Sequence, residues 1–156
     1  MKKIILILVA FFLDRASKSY LLYLQSTGTE IDFYINQFLN IYLVWNTGIG
    51  FGLISMESGI YYHILTAIIV IINIGIIYFL IKLKGVYSYL FAMVLGGSLG
   101  NLYDRIIFYA VPDFIDIHIG DFHWFTFNVA DIFITVGIIS LLIFELKKKE
   151  TDLNNE

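Results

Sequence analysis

Residues 60–81 contain no Asp, Glu, Lys or Arg and no proline, and an uninterrupted run of that kind leaves few folds open. As a helix rising 1.5 Å per residue it covers about 30 Å, the depth of a bilayer's hydrocarbon core. Further long apolar stretches, each broken by a few charged residues, lie over about 4–24, 86–105 and 129–145. A chain of 156 residues has room for one domain, and a soluble core of that size does not need apolar runs this long. Its 59% hydrophobic and 15% charged residues lie well outside soluble averages. The expected fold is membrane all-α: one domain over 1–156, built as a four-transmembrane-helix bundle.

The absence of cysteine excludes disulfides, zinc–thiolate sites and thiol catalysis. No basic stripe points to nucleic acid. Lys2 and Lys3 ahead of IILILVAFFL look like the start of a signal peptide, but Asp14, Arg15 and Lys18 interrupt the place where a small-residue cleavage site belongs. The stretch 4–24 therefore reads as a retained first span, with Arg15 snorkelling outward.

Basic residues set the orientation. Lys2 and Lys3, Lys82 and Lys84, and Lys147 to Lys149 fall on one side of a four-crossing chain, which the positive-inside rule makes the cytoplasm together with both termini. The connections at about 25–59 and 106–128 then lie outside. In the first, Ile41, Leu43 and Trp45 alternate with Asn40, Tyr42 and Asn46, and Gly48, Gly50 and Gly52 open turns, so a small surface sheet is expected. In the second, Pro112 stops the third helix, and Gly120-Asp121 joins IHI to FHW as a hairpin. The polar tail after Lys149 reads as disordered. Gly96 and Gly100 form a small-xxx-small pair that admits a neighbouring helix.

Helical rise also gives depth. Asp14 and Lys18 lie about 15 and 21 Å up the first helix, and Asn101 and Arg105 about 22 and 28 Å up the third. Asp131 opens the fourth at its outer end. Five polar side chains thus meet in the outer third of the membrane, where ionisable groups are costly and commonly functional. Asp14 and Lys18 share a helix face and can pair. Arg105 is placed to hold a peptide carbonyl, with Asp104 as a partner for it or for the surface sheet. Asn128 and Asp131 have the spacing of a reciprocal helix cap. Asp113, after Pro112, sits on rigid extended backbone.

Two neighbouring carboxylates share one proton: the charged one activates water and the neutral one polarises a carbonyl, so an amide can be split without metal or cofactor. The helix N-terminus favours charge on Asp131, leaving the proton to Asp113.

DRASK at 14–18, NTGIGFG at 46–52, GGSLGNLYDR at 96–105, VPDFIDIHI at 111–119 and FNVAD at 127–131 resemble, in order, the five blocks of bacterial lipoprotein signal peptidase (signal peptidase II). That resemblance implies an aspartic endopeptidase of the cytoplasmic membrane. Its substrates are prolipoproteins, cut on the N-terminal side of a diacylglyceryl-modified cysteine, with membrane lipid around it and no obligate protein partner. It implies Asp113 and Asp131 as the catalytic pair. Asn46, Asn101, Arg105 and Asn128 fall on substrate-contacting or supporting positions, and Asp14 and Lys18 on a structural block. Arg15 stands where the family commonly has glutamine, and Gly50 where it often has alanine.

Three other readings stand beside this one, and a purely structural or assembly role would make the convergent polar cluster a coincidence, against its energetic cost. His118 and His123 with Asp116 and Asp121 offer metal ligands, but match no helical zinc motif and read as surface groups of a hairpin. Asp14, Lys18, Asn73 and Asp131 could line a proton path, although Asn73 fits a hydrogen bond between helices better.

Overall fold

The computed structural model describes residues 1–48 and 59–153. In chain order these form α1 (Lys2–Ser26), β1 (Asp32–Asn36), β2 (Leu39–Asn46), α2 (Ile60–Lys82), α3 (Val86–Phe108), β3 (Val111–Ile119), β4 (Phe122–Phe127) and α4 (Val129–Leu153). The expected turns at Gly50 and Gly52 lie outside the described residues.

Among the described residues two helices, α2 and α4, are long and apolar enough to cross a membrane, and only 6% and 11% of their apolar stretches are buried within the chain. A soluble protein hides such helices; here their apolar side chains face outward, as a lipid solvent requires. α1 and α3 are of similar length, and α1 turns Arg15 and Lys18 toward Asn101 and Asp104 of α3 instead. The lysine-rich end of α4 continues as helix to Leu153 rather than fraying into a tail, with Thr151 donating back to the Lys147 carbonyl at 3.0 Å. Lys, Glu and Leu are strong helix formers, so the last span extends beyond its apolar part.

α3 is the central helix, packed against α1, α2 and α4. Its glycines make this possible. A Cβ on Gly96 would stand 2.6 Å from the Ile7 carbonyl oxygen, and one on Gly100 2.6 Å from Asp14 Oδ2, so both accommodate α1 as the spacing implied. Gly97 serves α4 in the same way: a Cβ there would stand 2.5 Å from the Ala130 carbonyl oxygen. Backbone cannot yield as a flexible side chain does. Gly97→Ala is expected to lower stability by about 1–3 kcal/mol through overpacking, while Gly75→Ala, which meets nothing within 4 Å, is expected to be tolerated. Thermal unfolding of the two variants side by side checks this, and equal midpoints would contradict it.

α3 runs to Phe108, three residues past the expected end, because Pro112 restricts only itself and Val111. Tyr109, at φ 57°, then turns the chain into β3. Asn73 does not bridge helices: its Nδ2 donates to the Ile69 carbonyl of its own helix at 3.0 Å. It is thus separate from the polar cluster described below, and the proton path drawn through it loses a member.

The sheet is antiparallel in the order β1-β2-β3-β4. Asn36 Oδ1 accepts the Phe38 N–H at 2.8 Å and closes the β1–β2 turn. Gly120, at φ 59°, supplies the left-handed residue of the β3–β4 turn. The two hairpins, expected separately, join through β2 and β3, which pairs Val44 with Asp113 and Asn46 with Val111. Leu21, Ile31 and Phe114 form an apolar cluster that seats the sheet on the end of α1.

Candidate active site

Asn128 precedes the first turn of α4, where backbone N–H groups have no partner within the helix. Its Oδ1 accepts the Asp131 N–H at 3.1 Å, and its own N–H donates to Asp131 Oδ2 at 3.1 Å. This is the reciprocal cap that the sequence spacing implies. Its remaining amide group reaches β3, where Nδ2 donates to Asp113 Oδ1 at 2.6 Å. One fully buried residue therefore holds both carboxylates.

The other carboxylate oxygens are held as well. Asn46, brought beside Asp113 by the β2–β3 register, donates from Nδ2 to Asp113 Oδ2 at 2.9 Å. Its own Oδ1 accepts the Gly48 N–H, which fixes the amide's orientation. Asn101 of α3 donates from Nδ2 to Asp131 Oδ1 at 2.8 Å, and its Oδ1 accepts from Lys18 Nζ at 2.7 Å. Each asparagine is locked in one orientation by a second contact, so each presents a donor to an aspartate.

Behind this layer lies a closed charge cluster. Lys18, with no exposed surface, spends its three N–H donors on Asp14, Asn101 and Asp104, at 2.7 to 2.9 Å. Asp14 Oδ1 accepts the Ala130 N–H at 3.0 Å, so helix one caps helix four. Arg15 does not snorkel. It forms an ion pair with Asp104 and lies over the Tyr103 ring, 4.8 Å from its centre. Asp104 accordingly faces α1 rather than Arg105 or the sheet. Asp14 and Asp104 against Lys18 and Arg15 leave the cluster electrically neutral. The sequence carries a sign of Asp104's role, since it lies three residues after Asn101 and so shares its helix face.

Arg105 stands apart from the network. Its Nη2 donates to the Gly48 carbonyl at 2.8 Å, while Nε and Nη1 are buried without a partner among the described residues. Asp116 and His118, expected at the surface, are buried as well.

Asp113 is 3% exposed, and its carboxyl is pushed up to about 6. Burial is the largest cause, followed by the charge of Asp131, against hydrogen bonds from Asn46 and Asn128 that favour the anion. Asp131 is only half-buried. It borders an apolar cavity of about 230 Å³ lined by Ile117, Phe125, Phe127, Ile132, Thr135 and Val136. A buried carboxyl thus stands beside one that keeps partial exposure next to an apolar recess, an arrangement suited to acid–base work on a substrate with an apolar part.

The family of signal peptidase (SPase) II matches residues 6–147. The chain is 47% identical over 154 residues to the lipoprotein signal peptidase of Pelagibacter ubique (strain HTCC1062), covering 97% of this chain and 93% of that protein. Against the lipoprotein signal peptidase of Anaplasma phagocytophilum (strain HZ) it is 42% identical, covering 94% and 92%. Two solved bacterial membrane enzymes, determined by the in meso method, share its fold. The 2.3 Å structure has TM-score 0.80 and 30% identity over 96% of this chain and 90% of that one. The 1.9 Å structure has TM-score 0.76 and 31% identity over 94% and 93%. With a matching family spanning nearly the whole chain and a membrane enzyme's fold around the two carboxylates, this protein belongs to the signal peptidase II family.

Proposed function

We propose that Asp113 and Asp131 are the catalytic pair of an aspartic endopeptidase that cuts prolipoproteins on the N-terminal side of a diacylglyceryl-modified cysteine. The removal of signal peptides from prolipoproteins is the activity of the family; the residues and the lipid specificity are our reading. The observation that carries it is the double hold of Asn128, which ties both carboxylates to one rigid group.

In this mechanism Asp131 takes a proton from a water molecule, and the resulting hydroxide adds to the scissile carbonyl. Asp113 donates its proton to the carbonyl oxygen as the tetrahedral intermediate forms. As the C–N bond breaks, the proton held by Asp131 passes to the departing amine and a hydroxyl proton of the intermediate returns to Asp113, restoring the singly protonated pair. Burial of Asp113 and the N-terminal end of α4 at Asp131 support placing the shared proton on Asp113. Asn46 and Asn101 hold the pair in register, and Asp14 and Lys18 hold Asn101 and the first turn of α4. The unpaired Nε and Nη1 of Arg105 are donors for a substrate carbonyl. The recess beside Asp131 takes an apolar side chain or acyl segment of the substrate.

The whole chain acts as one membrane-embedded domain. All four helices cross the cytoplasmic membrane, the lysine clusters and both termini face the cytoplasm, and the sheet and aspartates lie at the outer face. The exposed aromatic pair Phe122 and Trp124 suits that interface.

A cleavage assay tests the reading. Purified protein is expected to cut a diacylglyceryl-modified precursor once, before the modified cysteine, and to leave the unmodified precursor intact. Equal cutting of both would sink the lipid requirement. The proton assignment has a separate signature. Because the carboxyl of Asp113 is raised to about 6, the active singly protonated pair is lost as pH climbs through that value, so kcat/KM falls on the alkaline side. Asn46→Ala removes a donor that favours the anion, and the alkaline limb moves upward in pH. A limb that stays put or moves down contradicts the assignment.

A further inference from the structure

β3 carries a second set of reactive side chains that this chemistry does not use. Side chains alternate along a strand, so Asp116 and His118 face away from Asp113, on the opposite side of the sheet. His123 of β4 joins them through an irregularity. The register pairs Ile117 with Phe125 and then His118 with His123, leaving Trp124 as an extra residue. Without that bulge His123 would point to the other face.

We propose that Asp116, His118 and His123 form a binding site for a divalent transition-metal ion of the zinc type. Their donor atoms all lie within 4.8 Å of one another. Asp116 Oδ2 is 2.8 Å from His123 Nδ1 and 3.3 Å from His118 Nδ1. Bonds of about 2.0–2.1 Å to a tetrahedral ion set ligand atoms about 3.3 Å apart, so small side-chain movements complete the geometry. His118 is 7% exposed, and beyond the 3.3 Å approach to Asp116 its Nδ1 makes no hydrogen bond among the described residues, leaving a lone-pair position that a metal ion satisfies. Asn40 lies opposite Asp116 in the β2–β3 register, and its Oδ1 is also buried and without a partner among the described residues. Asn40, Asp32, Tyr42 and Thr126 line a cavity of about 430 Å³ that reaches Asp116 and His123 and has room for water as a fourth ligand. His123, with a side chain 57% exposed, leaves a route of entry.

Two imidazoles and one carboxylate select the metal. Ca²⁺ and Mg²⁺ take oxygen ligands, whereas this set suits zinc and its first-row neighbours. In the metal-bound form both histidines offer Nδ1 as acceptor and carry the proton on Nε2, so the hydrogen bond between His123 and Asp116 gives way to two bonds to the ion. The site ties β4 to the strand that carries Asp113, and its role is structural, because none of its ligands faces the aspartate pair.

The full chain, purified in detergent and stripped of metal, is titrated with Zn²⁺ by calorimetry and with Co²⁺ by visible absorption. One ion per chain is expected, with the intense visible bands of four-coordinate Co²⁺ and a Zn²⁺-dependent rise in the thermal unfolding midpoint. His123→Ala, at an exposed position, gives up one hydrogen bond to Asp116 and lowers the metal-free midpoint only modestly, while binding weakens by about a hundredfold or more. Asp116→Asn also weakens it. No stoichiometric binding, Co²⁺ spectra without those bands, or binding and thermal shift unchanged in His123→Ala would each overturn the proposal.

Discussion

Asp131→Asn and Asp113→Asn are each expected to lower kcat/KM by about a thousandfold or more, the scale of losing a positioned acid or base. Neither change empties space, so the fold is retained at a cost set by hydrogen bonding. At 131 the two carboxylate oxygens accept from Asn101 Nδ2 and the Asn128 N–H. An amide there turns one acceptor into a donor. Asn101 cannot flip to compensate, because its oxygen is committed to Lys18. At 113 the same conflict arises between Asn46 and Asn128. One unmade buried hydrogen bond costs about 1–3 kcal/mol, which thermal unfolding will register while the protein remains folded. A variant that folds and keeps more than a tenth of wild-type kcat/KM would remove its aspartate from the chemistry.

Lys18→Met is expected to have the largest effect on stability. Three hydrogen bonds vanish and two buried carboxylates lose their shared cation, leaving Arg15 alone beside them. Breaking a buried ion pair by removing one partner costs about 3–5 kcal/mol, much of it from the charge left behind. The loss reaches the site through Asn101, whose orientation depends on Lys18, so activity falls with stability. Adding Asp104→Asn restores neutrality and is expected to recover part of the unfolding midpoint. An unchanged midpoint in Lys18→Met, or no recovery in the double variant, would show that the cluster is not balanced in this way.

Much of this arrangement is written in short-range spacing. Asp14 and Lys18 are one helical turn apart, Asn128 and Asp131 have cap spacing, and Pro112 sets Asp113 on extended backbone; each is a local rule, and each recurs in the structure. Gly96 and Gly100 likewise foretell a close neighbour, though not which helix. What local rules cannot carry is rotation and long-range pairing. Arg15 turns inward because Asp104 happens to face it across α1 and α3, and nothing within α1 encodes that angle. The joining of β2 to β3 spans two intervening helices, so the contact of Asn46 with Asp113 follows from topology rather than pattern. The His123 bulge is hidden for a similar reason: alternation along β4 alone assigns that side chain to the wrong face.

The bond from the Ala130 N–H to Asp14 has a consequence for how the protein is made. Its two ends are 116 residues apart, so at ribosomal speeds of about 5–20 residues per second Asp14 waits roughly 6–23 s for α4 to arrive. With α1 crossing the membrane as proposed, the nascent first helix is not left with a bare acid in lipid during that interval, because Lys18 lies one turn away on the same helix and neutralises it from within. The pair therefore acts as a travelling counter-ion during insertion, before its partners on α3 and α4 exist. Chains cut short before Ala130 should accumulate in the membrane rather than fail to enter it, stalled one contact from completion.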